Sequence, residues 1–421
     1  MRGAEREVLR LLRGRLPSAD ELESIRLRRL RALLAWAGER VPYYADLFAR
    51  AGFDPASVRA VDDLRRVPIS TRDQLVEAGE RGLARGFDPA RAVHARTSGS
   101  SGRPWTTLRS RRDERLRRAL ELRSMRRAGI GAGDTIATLG PLRERPLGTL
   151  GRLGLYRTVQ VSPLLPVDEQ IRRLREIHPD VLWAYPSALR TLVRQTGSLA
   201  AVVRPRLLVT AAEPLDDVLR RQLTAEGDLQ IRNFYGAVEC GRIAWECAAG
   251  EGLHLNADCM VLELAEDVEV EGAGRSVVIT NLLSSAMPII RYRLGDLAEL
   301  VGRPCSCGAA LPLMRPPVGR EWDALELPSG RLLSTWGFNI FLRDLEGLRQ
   351  FRVVQSALDR VVLQLRFAAP PPPARLAALR DRVARHLGEP MRVDVEQVAA
   401  FEEGPLKFRT FISEVRGVAG S

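Results

Sequence analysis

The run Thr97-Ser98-Gly99-Ser100-Ser101-Gly102-Arg103-Pro104 is rich in the groups that hold phosphate. Gly99 and Gly102 let the backbone bend and approach a ligand closely, so successive amides can converge on an anion. The hydroxyls of Thr97, Ser98, Ser100 and Ser101 add donors. A polyphosphate suits that chemistry. No Gly-Lys-Ser/Thr follows, so this is not a Walker A loop, and taken alone the run reads equally as a flexible linker. Four later runs carry complementary groups. Asn233-Phe234-Tyr235-Gly236-Ala237-Val238-Glu239 offers an aromatic to stack on a base, a glycine for close approach and a carboxylate for Mg²⁺. Arg291-Tyr292-Arg293-Leu294-Gly295-Asp296 ends in a carboxylate able to take both hydroxyls of a ribose. Gly319-Arg320, with Asp323, and Gly404-Pro405-Leu406-Lys407-Phe408-Arg409 complete the set.

Lys407 stands out further. The chain has 64 basic residues, and Lys407 is its one lysine. Arginine is a wide planar fork, whereas lysine is a compact point charge on a flexible stem, so a position that kept lysine in this background is a candidate for needing an ammonium.

The five cysteines are Cys240, Cys247, Cys259, Cys305 and Cys307. Cys305 and Cys307 form a tight pair, and Cys247 and His254 are spaced C-x₆-H. Thiolates plus an imidazole suit tetrahedral Zn²⁺, so Cys247, His254, Cys305 and Cys307 are the expected ligands, with Cys240 or Cys259 open as replacements. The histidines His94, His178 and His386 read as structural.

The elements that must position these groups follow from hydrophobic period. Two helices are expected before residue 50, with Pro42 ending the second, and a helix capped by Ser70 or Thr71. From about 130 to 215, short apolar runs at Thr135–Leu139, Val181–Ala184, Leu207–Thr210 and Gln230–Tyr235 alternate with helical segments, which predicts a parallel α/β sheet. Beyond residue 250 the texture is β, with strands expected at Met260–Leu264, Val268–Glu271, Ser276–Leu282 and Ile289–Leu294. A small α+β unit closes the chain. It has a hairpin around Pro328-Ser329-Gly330, strands at Phe351–Gln355 and Val361–Phe367, a helix at Ala374–Leu387 and a last strand at Met391–Val395.

Together and in this order, the five runs resemble the adenylate-forming superfamily of acyl-CoA ligases, peptide-synthetase adenylation domains and luciferases. Val41-Pro42-Tyr43-Tyr44, Val67-Pro68-Ile69-Ser70 and Ala211-Ala212-Glu213-Pro214 are similar to landmarks of its phenylacetate–CoA ligase-like branch. The resemblance implies an α/β protein. A large N-terminal domain (1–318), with α/β subdomains and a small β-barrel-like region, would hold ATP and acid, and a small mobile α+β lid (319–421) would follow. It further implies that Thr97–Gly102 cradle pyrophosphate, that Ala212, Glu213, Pro214, Tyr235 and Gly236 surround adenine, that Glu239 binds Mg²⁺ and that Asp296 and Arg320 hold ribose. Lys407 would bridge the reacting carboxylate and the α-phosphate. Trp183, Tyr185, Ser187 and Ala237 are expected to line the acid pocket. Some relatives carry a zinc site of the kind described above. One departure bears on the second half-reaction. Two residues beyond Arg320, where relatives have a carboxylate or lysine, this chain has Trp322.

The implied reaction is ATP-dependent formation of an acyl-adenylate, then transfer to coenzyme A or a carrier-protein thiol. Transfer to an amine, activation of an unusual acid, and a non-catalytic nucleotide-binding role are the alternatives. Composition narrows the partners. Net charge is +12, but aromatics are only 5% and no nucleic-acid-binding pattern of basic residues with interleaved aromatics appears, so no nucleic-acid partner is expected. No run approaches the roughly 20 apolar residues that span a bilayer, and the N-terminus lacks a signal-peptide core, so no membrane partner and a cytoplasmic location are expected. A homodimer is compatible with the branch.

Overall fold

A computed structural model of the 421-residue chain describes residues 2–96, 105–140, 151, 154–225, 227, 229–335, 337–338, 342, 345, 347–401 and 410–415. The chain opens with three helices, α1 (Arg2–Leu12), α2 (Ala19–Arg40) and α3 (Pro42–Arg50). Ser18 and Glu21 form a capping box at the start of α2. Pro42 does not end a helix, as expected, but begins one. The preceding helix stops at Arg40, and a proline at the first helical position gives up only an N–H that has no helical partner. Thr71 caps α4 (Arg72–Ala78). A two-stranded hairpin follows, β1 (Val93–Arg96) with β2 (Thr106–Arg109), then α5 (Arg111–Arg127). The Thr97–Pro104 loop between β1 and β2 lies outside the described residues.

The strand–helix alternation is present: β3 (Thr135–Leu139), β4 (Arg157–Val161), α6 (Val167–Ile177), β5 (Val181–Ala184), α7 (Pro186–Thr196), β6 (Leu207–Ala211), α8 (Asp217–Thr224) and β7 (Gln230–Ala237). The sheet is mixed rather than parallel throughout. β4-β3-β5-β6-β7 run parallel, and β8 (Gly241–Glu246) and β9 (Leu253–Leu255) then add antiparallel. A tight β7–β8 connection reverses the chain, which a parallel neighbour could not use. One face packs Leu139, Leu182 and Leu208 against Leu174, Leu189 and Leu219 of the three helices. The other face carries Ile136, Trp183, Val209 and Phe234 into a cluster with α1 and α5.

Where a barrel-like region was expected stands a four-stranded antiparallel sheet, β10 (Met260–Val270), β11 (Gly274–Asn281), β12 (Tyr292–Ala298) and β15 (Gly319–Arg320). The two runs expected at 260–271 are one strand broken by a bulge. Between β12 and β15, β13 (Leu300–Val301) and β14 (Leu313–Met314) extend the large sheet beyond β9. The last unit contains the expected hairpin, β16 (Leu325–Glu326) with β17 (Leu332–Leu333). It also holds a sheet of order β20-β19-β18-β21 with a helix packed on it. Its strands are β18 (Leu348–Ala357), β19 (Arg360–Phe367), β20 (Arg392–Gln397) and β21 (Phe411–Ser413), and α9 (Pro373–Leu387) packs on them. The strand near 391–395 is not the last, because Phe411–Ser413 pairs parallel with β18.

Candidate functional site

The site is built where β7, β12 and β15 present their ends. Gly236 sits at an irregularity in the β7–β8 pairing, where a Cβ would lie 2.6 Å from the Gly241 carbonyl oxygen, so only glycine fits. Tyr235, buried beside it, donates its hydroxyl to Asp296 Oδ2 at 2.8 Å. The pairing of β12 with β15 sets Asp296 opposite Arg320, whose Nε approaches Asp296 Oδ1 at 3.2 Å. Three residues that the sequence placed in separate runs thus form one hydrogen-bonded line. Burial raises the Tyr235 hydroxyl well above its usual pKa, and the Asp296 charge adds to this, so the phenol stays a donor. Glu239, half-buried in the β7–β8 turn, has its carboxyl pushed up by burial and by Asp296, while Arg72 and Arg320 oppose the shift.

Arg72 is a member that residue type alone did not single out. It begins α4, directly after a stretch stitched to β12: the Ser70 amide donates to the Arg291 carbonyl at 2.8 Å and the Arg293 amide to the Ser70 carbonyl at 2.9 Å. Tyr43 adds a 3.1 Å hydrogen bond to Ser70 Oγ. The landmark Val67–Ser70 is therefore an anchor that delivers a guanidinium to the Glu239 side. Arg109 and Arg117 were missed too. With Asp113, Glu239 and Cys240 they line a small cavity under the β7–β8 turn, and Arg109 donates to the Val238 carbonyl. Glu114 holds these arginines in place. Burial would raise its carboxyl, but Arg117, Arg118 and Arg109 bring it down to about 2.

At the end of β6, Ala212 adopts φ +66°, an unusual backbone for a residue with a Cβ, and Glu213 accepts a hydrogen bond from the Ser187 amide at 2.9 Å. That bond ties Glu213 and Pro214 to the start of α7, where Tyr185 and Ser187 lie. The Tyr185 ring covers Gly140, where a Cβ would sit 2.9 Å from Cδ1. Trp183 departs from expectation. It is 4% exposed and packs edge-on against Phe234 at 5.2 Å, inside the core behind the strand ends. Alternation along β5 sends 183 to the opposite face from 182 and 184, a face that α1 and α5 cover. Ala237 ends β7. Thr97, Ser98, Gly99, Ser100, Ser101, Gly102 and Lys407 lie outside the described residues. Phe411, four residues beyond Lys407, begins β21, which packs against the Glu321–Asp323 turn.

A second constellation lies at the β9–β14 end of the sheet. Cys247 follows β8, His254 is central in β9, and Cys305 and Cys307 lie in the loop between β13 and β14. Their ligand atoms all lie within 4.8 Å of one another. Cys247 Sγ is 3.6 Å from Cys305 Sγ, and Cys307 Sγ is 3.3 Å from His254 Nε2. Tetrahedral zinc with bonds near 2.3 Å to sulfur and 2.0 Å to nitrogen sets its ligand atoms roughly 3.5–3.8 Å apart, so the quartet has the right span. Trp245 stacks on His254 at 4.8 Å and fixes its ring. The open alternatives close here: Cys240 belongs to the cavity under the β7–β8 turn, and Cys259 lies by Arg29 and Arg123.

No family model matches the chain. It is 26% identical over 416 residues to a phenylacetate–coenzyme A ligase of Thermus thermophilus, covering 90% of this chain and 92% of the relative. The phenylacetate–coenzyme A ligase of Aromatoleum evansii is 27% identical over 348 residues, 79% of this chain and 76% of that one. The crystal structure of 2-hydroxyisobutyryl-CoA ligase in the postadenylation state, in complex with 2-HIB-AMP, superposes with a TM-score of 0.76 at 21% identity, covering 95% of this chain and 91% of that one. The same ligase scores 0.66 in an open conformation (95% and 93% covered) and 0.64 in the thioesterification state (95% and 91%). These likenesses support the adenylate-forming acyl-CoA ligase superfamily. Within it, the relatives mark out the phenylacetate–CoA ligase-like branch.

Proposed function

We propose that the protein is an AMP-forming ligase that joins ATP and a carboxylic acid into an acyl-adenylate, releases pyrophosphate and passes the acyl group to the thiol of coenzyme A. The observation that carries this reading is the Tyr235–Asp296–Arg320 line beside Glu239. A carboxylate has about four lone-pair sites, so Asp296 can accept Tyr235, Arg320 and still both hydroxyls of a ribose. Tyr235 and the Ala212–Pro214 turn would flank adenine, and Thr97–Gly102 would carry the pyrophosphate. Glu239 is the fitting ligand for Mg²⁺, being a half-buried carboxylate whose raised pKa marks a site that gains from a cation. When bound, Mg²⁺ would neutralise phosphate charge. Two anions resist approaching each other, so the chain's own part is to position the acid and to place Arg72, Arg320 and Lys407 around the charge that develops.

The acid would lie between Tyr185, Ser187 and Ala237, with Trp183 supporting the wall from behind. The boundary we assign falls at 318/319, where the chain leaves the larger unit for the smaller. Zn²⁺ at Cys247, His254, Cys305 and Cys307 would brace the β8–β14 end without touching substrate. The test is a panel of carboxylic acids with ATP and Mg²⁺, read as pyrophosphate release and then, on adding coenzyme A, as AMP and thioester. Acid-dependent release supports the reading. ATP binding without release for any acid overturns it in favour of a non-catalytic nucleotide binder, and release without thioester overturns the thiol acceptor.

A further inference from the structure

The Glu321–Asp323 turn joins the two units, and its central side chain has a fitted seat. A Cβ on Gly295 would lie 1.9 Å from Trp322 Cζ3 and 2.5 Å from Cη2, so the indole fills the space where any other residue would project. Gly295 also has φ +79°, the left-handed region that glycine enters freely. The same ring system serves Arg320, whose Cζ lies over it 5.2 Å from the Trp322 centroid. Arg320 is thus held by an aromatic face and by Asp296. The turn is fixed on both flanks. Glu321 accepts from Ser276 Oγ at 2.9 Å and from Arg293 at 3.3 Å, both on the larger unit, while β21 of the smaller unit packs against the turn.

We propose that Trp322 is a positioning residue: a latch that, by seating on Gly295 and pinning Arg320 on Asp296, favours the arrangement of the two units that serves adenylate formation. The proposal rests on reading the site as adenylate-forming. Among the described residues, the other ties across the junction are backbone hydrogen bonds of Glu271 with Leu332 and Ser334, the exposed Arg331–Glu271 pair, and a small apolar cluster of Val268, Val270, Ala273 and Leu297 with Ala324 and Leu332. Exposed pairs of this kind contribute little. Trp322 is the aromatic contact beside them and the one that touches the site, since lifting it off Gly295 wets an indole and frees Arg320 together. The chain also superposes more closely on the postadenylation arrangement of 2-hydroxyisobutyryl-CoA ligase than on its other two. A residue that binds one arrangement and not another shifts the population between them.

The experiment separates the half-reactions of the full chain: acid-dependent pyrophosphate exchange for the first, and thioester formation from preloaded acyl-adenylate on adding coenzyme A for the second. Trp322→Ala is expected to slow exchange roughly 5- to 20-fold while leaving thioester formation unslowed, and Trp322→Phe, which keeps an aromatic face, to recover most of the loss. Equal losses in both steps, or no change in either, overturn the latch. Limited proteolysis around residues 319–324 reads the latch without activity, and Trp322→Ala should be cut several-fold faster than wild type. If wild type exchanges no pyrophosphate with any acid, the reading of the site fails and proteolysis alone decides the latch. Should Trp322→Ala not fold, Trp322→Leu takes its place under the same criteria.

Discussion

Two regions of the molecule gather side chains in opposite ways: the cysteine–histidine cluster at the β9–β14 end of the large sheet, and the edge where β7, in the middle of that sheet, meets β12 and β15. The cysteine–histidine cluster is closed: all four groups come from 247–307, three of them are buried, and Trp245 holds the imidazole from behind. The edge that carries Tyr235, Asp296 and Arg320 is open. Tyr235 and Glu239 reach it from β7, Asp296 from β12, Arg72 from α4 and Arg320 from β15, and no two of these runs are neighbours in sequence. A closed set stores its specificity in one local geometry and suits a structural metal. An open set assembles only when several elements are correctly docked, which suits a substrate that must enter and leave. If that contrast is right, damage at the open edge should cost rate and spare stability, and damage at the cluster should do the reverse.

Lys407→Ala tests the first half and carries the largest effect. A single ammonium on developing negative charge is the kind of group whose loss slows a reaction roughly 100- to 1000-fold. Pyrophosphate release should fall by that factor, with ATP affinity changed less than about threefold and the unfolding midpoint unmoved. A wild-type rate would show that the open edge is complete without this segment.

Cys305→Ser tests the second half. Bound zinc, read by elemental analysis, should drop from about one per chain to near zero, and unfolding free energy should fall by about 3 kcal/mol or more. Adenylation well below the new unfolding temperature should persist. Loss of adenylation with stability intact would break the contrast by making the cluster part of the active site.

The two regions also differed in how legible they were. The cluster could be read from residue type, because cysteine and histidine are rare here and few other roles gather them. The open edge was legible only through the order of its runs. Its arginines were hidden, since 63 of the 64 basic residues are arginine and no one of them looks special. Arg72 and Arg109 acquire meaning only once Ser70 is bonded to β12 and the β7–β8 turn lies over α5. Trp183 was read as pocket because strand alternation gives two faces without saying which meets ligand. The expected strand at 289–294 lies at Tyr292–Ala298 instead, because Gly295 and Asp296 resemble a strand end although β15 pairs with Asp296 and Leu297 beyond it. The α/β core was clear because apolar period survives any surface composition; the junction at Trp322 was not, since its seat is an absent side chain on a distant glycine.

Glu114 offers a smaller test of whether the open edge rests on a scaffold of its own. It sits 5% exposed among Arg109, Arg117 and Arg118, and those arginines support the turn that carries Glu239. Its folded pKa of about 2 lies below that of a free carboxylate, so folding favours its charged form. The resulting stability is fully present above the unfolded value and is lost as pH falls from about 4.5 to about 2. Glu114→Gln should therefore lower unfolding free energy at neutral pH by on the order of 3 kcal/mol, and its stability should vary less than wild type's across that acid window. Chemical denaturation at several pH values reads both effects. Adenylation should suffer mildly, because Arg109 keeps its bond to the Val238 carbonyl and the turn keeps its glycines. A stability difference that persists unchanged down to pH 2 would assign the loss to packing instead of charge, and would leave the arginines under the turn as independently placed rather than held by Glu114.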